Sequence, residues 1–116
     1  MTQAKRVLGA RGEELVAHWY RARGYTVVDR NWRCRDGELD VIAERDGTVV
    51  FCEVKTRTSA AFGTGLDAVT RVKQARIRRL AAQWLLTRPR ARRTRRIRFD
   101  VAAVSGDVID VVTDAF

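Results

Sequence analysis

An α/β fold with a mixed sheet covered by helices is predicted by three features of the 116-residue sequence. Two segments carry apolar residues at helical spacing, and several short segments alternate or run apolar in the manner of strands. Their order is α-β-β-β-α-β with a further short strand at the end, which suits one domain over residues 1–116, without repeat or linker.

The first helix is predicted over Lys5–Arg23, with Leu8, Leu15, Trp19 and Ala22 as its apolar stripe and Gly24 as its C-terminal cap. Strands are predicted over Thr26–Cys34, Glu38–Glu44 and Thr48–Lys55. Arg35-Asp36-Gly37 and Arg45-Asp46-Gly47 separate them, and Asp-Gly is a strong hairpin signal, so the three form an antiparallel meander. Thr56–Leu66 reads as a loop. Asp67 is placed to cap a second helix running to about Leu86, with Val69, Val72, Ile77, Leu80, Ala81 and Trp84 as its stripe. Pro89 stops that helix. The arginine-rich run Arg88–Arg96 leads to two closing strands, Ile97–Val104 and Val108–Val112.

Composition narrows the function. Hydrophobic residues make up 46% of the chain, enough for a core. Lys and Arg total 23 against 14 Asp and Glu, a net charge of +9 that makes a polyanion the leading partner. No apolar run approaches the 18 or so residues of a membrane span, and the N-terminus has no stretch suited to a secretory signal. Two cysteines, Cys34 and Cys52, and one histidine, His18, are too few for a zinc ribbon, and the expectation is a cytoplasmic protein with both thiols reduced. Gly63-Thr64-Gly65-Leu66-Asp67-Ala68 matches G-x-G-x-x-A but lacks the strand–turn–helix context and the later acid of a dinucleotide site. His18 reads as a surface or boundary residue, and Trp19, Trp32 and Trp84 as core or boundary residues.

The chemistry concentrates on the second and third strands. Alternation puts Glu38, Asp40, Ile42 and Glu44 on one face of the second, and Val49, Phe51, Glu53 and Lys55 on one face of the third. Val49-Val50-Phe51-Cys52 and Val54 mark a strand covered on both sides, so the charges that end it are partly buried and need a partner. Glu-x-Lys by itself is commonly a solvated ion pair. With Asp40 on the adjoining strand, however, two carboxylates converge and raise each other's proton affinity unless a cation lies between them. Mg2+ suits such oxygens. Lys55 projects to the same point, where it can stabilise phosphate charge or help deprotonate a metal-bound water. Metal, lysine and basic surroundings together describe phosphodiester hydrolysis.

The sequence resembles a known family over nearly its whole length. The blocks are Gly12-Glu13 with Leu15 and Ala17, Gly24-Tyr25, Asn31-Trp32-Arg33-Cys34-Arg35, Gly37-Glu38-Leu39-Asp40-Val41-Ile42-Ala43 and Val50-Phe51-Cys52-Glu53-Val54-Lys55-Thr56-Arg57. They continue through Phe62-Gly63, Ala68-Val69, Lys73-Gln74-Ala75-Arg76-Ile77, Arg98-Phe99-Asp100-Val101 and Ala115-Phe116. This pattern resembles the YraN family of small bacterial proteins, which is similar in fold to restriction endonucleases and Holliday-junction resolvases, the PD-(D/E)xK nuclease superfamily. The resemblance implies a restriction-endonuclease-like α/β core.

It further implies a Mg2+- or Mn2+-dependent DNA endonuclease in which Asp40, Glu53 and the backbone carbonyl of Val54 hold the metal. Glu13 assists directly or through water, and Lys55 activates the attacking water. Leu39 stands where the superfamily's proline usually does, and Val16 replaces a small residue of the first helix. Arg57, Lys73, Gln74 and the run Arg88, Arg90, Arg92, Arg93, Arg95 and Arg96 are expected to track the nucleic-acid backbone. Branched or junction DNA is the favoured substrate, with RNA also a candidate, and a homodimer follows by analogy with resolvases. The alternative is a non-catalytic nucleic-acid-binding module, or an adaptor for an acidic protein, with a vestigial site.

Overall fold

The computed structural model describes residues 3–57, 69–89 and 93–116, with side chains for all of these except 3–9 and 57. Its elements are α1 (Gln3–Ala22), β1 (Thr26–Cys34), β2 (Gly37–Arg45), β3 (Thr48–Arg57), α2 (Arg71–Leu86), β4 (Arg96–Ser105) and β5 (Val108–Val112). The five strands form one open sheet in the order β1-β2-β3-β4-β5. All neighbours are antiparallel except β3 and β4, which run parallel and therefore need the crossover that α2 supplies. The architecture is a compact α/β fold with a five-stranded mixed sheet and two helices.

Each face of the sheet has its own core. Under α2, Ile77, Leu80, Ala81 and Trp84 pack on Leu39, Ile42, Val49, Phe51, Phe99 and Val101. Under α1, Val16 and Tyr20 pack on Val41, Ala43, Val50, Cys52, Ala102 and Val104. Residues 49–52 of β3 are all essentially inaccessible, as expected of a strand covered on both sides. The β2–β3 hairpin closes on Asp46 and Gly47, both at positive φ (50° and 82°), which matches the right-handed twist of the strands it joins. Cys34 and Cys52 are free thiols, and no described helix is long and apolar enough to cross a membrane.

Both helices differ from the sequence reading. On α1 the inward residues are Val16, Ala17 and Tyr20, all at 0% exposure, whereas Leu15 and Trp19 are half-buried, Ala22 is exposed and Leu8 lies outside the described side chains. The stripe is rotated because Tyr20 enters the core with its hydroxyl bound to a buried carboxylate, a partner that periodicity does not reveal. On α2 the cap is Thr70, whose side chain accepts from the Lys73 amide, and Asp67 lies outside the described residues. Val69 is buried ahead of the helix, whereas Val72, counted in the stripe, is 72% exposed.

The carboxylate that receives Tyr20 is Asp100 on β4, the one buried charged residue of the described chain. Its oxygens accept from the Tyr20 hydroxyl (2.6 Å), from Nε and Nη2 of Arg98 (2.8 and 2.9 Å) and from the Asp114 amide (2.9 Å). Four donors fill a carboxylate's acceptor capacity. The Arg98 guanidinium continues to the Tyr25 hydroxyl at 3.1 Å, so one network ties α1, β4 and the C-terminal segment together. Asp100→Ala is expected to cost about 3–5 kcal/mol, because it strands a half-buried guanidinium without its counter-charge. Tyr20→Phe is expected to cost about 2 kcal/mol for one hydrogen bond to a charged group. Urea denaturation measures both, and two small, similar losses would show that the network is not what holds α1 to the sheet.

Candidate active site

The site is built where β2 parts from β3. Their ladder runs from Arg45↔Thr48 to Val41↔Cys52 and stops. Beyond Val41, β2 stays paired with β1 through Trp32↔Leu39, Arg33↔Glu38 and Cys34↔Gly37. Asn31, facing the parting point, takes a left-handed conformation (φ 52°) that asparagine tolerates better than most residues. A two-stranded ribbon twists more than a full sheet. Leu39 therefore packs under α2 while Val41, two residues on, packs under α1.

Strict alternation along β2 fails for this reason. Glu38, Asp40, Ile42 and Glu44 do not share one face: Ile42 lies in the core under α2, and Glu44 is paired with Arg88 just past that helix, whereas Glu38 and Asp40 turn to Glu13 of α1.

Where the backbone ladder ends, the Asp40 side chain takes over, its Oδ2 accepting from the Val54 amide at 2.9 Å. Carboxylate oxygens of Glu13, Glu38 and Asp40 all lie within 4.8 Å of one another. Glu13 reaches them because Gly12 lets α1 close on the end of β3: a Cβ at Gly12 would stand 2.4 Å from Oγ1 of Thr56. Burial, then the charge of Glu53, then Glu13 and Glu38 push the Asp40 carboxyl up to about 7, against the Val54 hydrogen bond. Glu13 is also raised, by burial first, while a side-chain hydrogen bond with Asn31 works against the shift. Glu38 additionally pairs with Arg33 at 3.0 Å.

Glu53 is not a member of that close group. It is 11% exposed and turned to two ammonium groups, Lys73 at 2.7 Å and Lys55 at 3.7 Å. Lys55 is lowered by burial and by the neighbouring Lys73. Burial also opposes the charge on Lys73, but its hydrogen bond to Glu53 prevails and the group is raised. Val54 lies between Glu53 and Lys55, its amide held by Asp40. The arrangement can hold a hard divalent cation, since the gathered donors are carboxylate oxygens whose mutual repulsion a cation relieves. It also offers two ammonium groups for phosphate charge.

Several residues assigned to nucleic acid are placed elsewhere. Arg88 is only 8% exposed, pairs with Glu44 at 2.6 Å and lies over the Trp84 ring, so it holds the end of α2 to β2. Gln74 donates to the Val69 carbonyl at 3.1 Å, fastening the start of α2. Lys73 belongs to the site itself. Arg93, Arg95 and Arg96 are exposed, but Arg96 pairs with Thr48 at the opposite end of β3 from Lys55. Seven strand residues at about 3.3 Å each put them roughly 20 Å from the site. The Arg57 side chain, Arg90 and Arg92 lie outside the described residues.

The model of the uncharacterised protein family UPF0102 matches residues 12–104. The chain belongs to the UPF0102 family. It is 53% identical over 102 residues to a UPF0102 protein of Beutenbergia cavernae, covering 88% of this chain and 85% of that relative. It is 50% identical over 103 residues to one of Frankia alni, covering 89% and 84% respectively. The UPF0102 match begins at Gly12, the glycine that admits α1 to the site, and contains every residue of the acidic cluster and the lysine pair.

One consequence can be measured without any ligand. Asp40 binds its proton more tightly in the folded chain than in the unfolded one, so stability is greatest below pH 4 as far as this group is concerned. That contribution falls as pH rises through about 7. Asp40→Asn keeps an acceptor for Val54 and removes the charge, so it is expected to raise the melting temperature by several degrees at pH 8 and by little near pH 4. An unchanged or lower melting temperature at pH 8 would show that the carboxylate is not held at a cost.

Proposed function

We propose that this UPF0102 protein is a metal-dependent endonuclease that hydrolyses DNA phosphodiester bonds, built on a restriction-endonuclease-like core of the PD-(D/E)xK kind and selective for branched or junction DNA. The observation that carries the reading is the meeting of Glu13, Glu38 and Asp40 oxygens within 4.8 Å, with Glu53, Lys55 and Lys73 beside them. Order along the chain adds to it. An aspartate on the second strand and Glu53-Val54-Lys55 on the third correspond to the superfamily's metal aspartate and (D/E)xK pair.

In this reading Asp40, Glu13 and Glu38 hold Mg2+ or Mn2+, together with Glu53 and the Val54 carbonyl. The ion, when bound, activates a water and neutralises phosphate charge. Asp40 must be deprotonated to serve, and a neighbouring cation favours that form. Lys55, its proton affinity lowered by burial and by Lys73, orients the attacking water and offsets charge on the scissile phosphate. Arg71, Arg76 and Arg79 are exposed on α2, the helix that carries Lys73, and add to its positive charge. A domain this small has few elements for reading bases, which favours recognition of DNA shape. Work in the cytoplasm and as a homodimer belongs to the same proposal.

A non-catalytic nucleic-acid-binding module is the second reading, and one feature favours it: Glu53 is neutralised by lysines and stands apart from the other acids. The two readings diverge on a panel of junction, flap, nicked and single-stranded DNAs and RNAs incubated with Mg2+ or Mn2+. A nuclease cleaves at least one of them only with metal, and Asp40→Ala, Glu53→Ala and Lys55→Ala each lower that cleavage by about a hundredfold or more while binding persists. Metal-independent binding with no cleavage of any substrate would leave only the binding module.

A further inference from the structure

We propose that Lys73 is a built-in counter-ion that occupies Glu53 until a divalent metal displaces it, so that α2 sets how tightly the site takes metal. The proposal rests on the metal-site reading above. Lys55 meets Glu53 because the two share a face of β3, two residues apart. Lys73 has no such reason: it comes from the first turn of another element. Yet its ammonium makes the closer contact, 2.7 Å against 3.7 Å.

The position is anchored. Thr70 caps α2 by accepting the Lys73 amide at 3.2 Å, and Gln74 fastens the same turn to the Val69 carbonyl at 3.1 Å. Glu53, 11% exposed, is thus satisfied from the helix side and does not join Glu13, Glu38 and Asp40. Both ammonium groups lie on Oε1 of Glu53, so for Glu53 to ligate a metal held by those acids its carboxylate must turn away from the Lys73 contact. An incoming divalent ion is repelled by the Lys73 ammonium across a partly buried gap that water screens poorly. That turn leaves Lys73 without its partner at the edge of the site, free to face a phosphate. A purely structural ion pair behaves differently, since its removal loosens α2 and gives nothing back to the metal.

Calorimetric titration of the full chain with Mn2+ alone, without nucleic acid, tests this. Lys73→Met keeps the aliphatic stem and removes the charge, and it is expected to bind Mn2+ about fivefold more tightly than wild type, the worth of one favourable ion pair. Lys73→Arg keeps a cation and is expected to stay near wild type. The gain in Lys73→Met must vanish when Glu53→Gln is added, since the competition runs through that carboxylate. Melting curves confirm that each variant is folded. Equal or weaker Mn2+ binding by folded Lys73→Met overturns the competition, and if Asp40→Asn still abolishes binding in that experiment the metal site itself stands. Failure of both wild type and Lys73→Met to bind Mn2+, with no effect of Asp40→Asn, overturns the metal site and the competition together.

Discussion

Everything in the candidate site follows from one hydrogen bond, that of the Val54 amide to the Asp40 carboxylate. A strand that leaves its neighbour strands a row of backbone donors and acceptors, and burial makes each one expensive. Here a side chain satisfies the first amide exposed by the parting of β2 from β3. The cost is a charge placed among other charges in a half-buried crevice. The same parting frees the end of β3 to present Glu53 and Lys55, and Gly12 allows α1 to deliver Glu13 from the other side. Geometry that would weaken an ordinary sheet is what assembles the acids.

Two aspartates of this chain make the point by contrast. Asp100 is fully buried and has four donors, including a two-pronged guanidinium, so the fold itself supplies the charge it needs. Asp40 accepts one hydrogen bond among the described residues and faces like charges in Glu13, Glu38 and Glu53. A structural carboxylate is completed by its own protein. Asp40 instead keeps a raised proton affinity, which the attraction of Lys55 and Lys73 offsets only in part. Its destabilising environment is the usual mark of a residue kept for function at the expense of stability.

Strand positions and the hairpin turns were legible because they depend on local chemistry: alternation, β-branched runs and Asp-Gly. The double burial of Val49-Val50-Phe51-Cys52 was legible for the same reason. What failed were the features that depend on which element lands where. Glu38 had the right spacing from Asp40 to join it, but spacing alone carried Ile42 and Glu44 along as well, and only the twist beyond Val41 separates them. The stripe of α1 was misjudged because Tyr20 is apolar enough to bury only if a buried acceptor waits for its hydroxyl. Arg88 looked like part of a cationic run and is a buried anchor, since nothing near it in sequence announces Glu44 or the face of Trp84.

The net charge of +9 needs the same scrutiny. Arg98 is committed to Asp100, Arg88 to Glu44, and Arg78 lies over the rings of Phe99 and Phe116. These guanidiniums serve as flat, multi-donor building parts, a use for which lysine is a poor substitute. Composition therefore overcounts the cations free to meet a polyanion. Those placed at the site are Lys55 and Lys73, while Arg93, Arg95 and Arg96 stand at the far end of β3. At roughly 20 Å, two Debye lengths in ordinary salt, the two groups act as separate electrostatic bodies. A polyanion held at the acidic cluster gains from the distant arginines only if it extends along the sheet to reach them. Any sensitivity of binding to that run is therefore a measure of how far the bound chain extends, and not of the chemistry at Asp40.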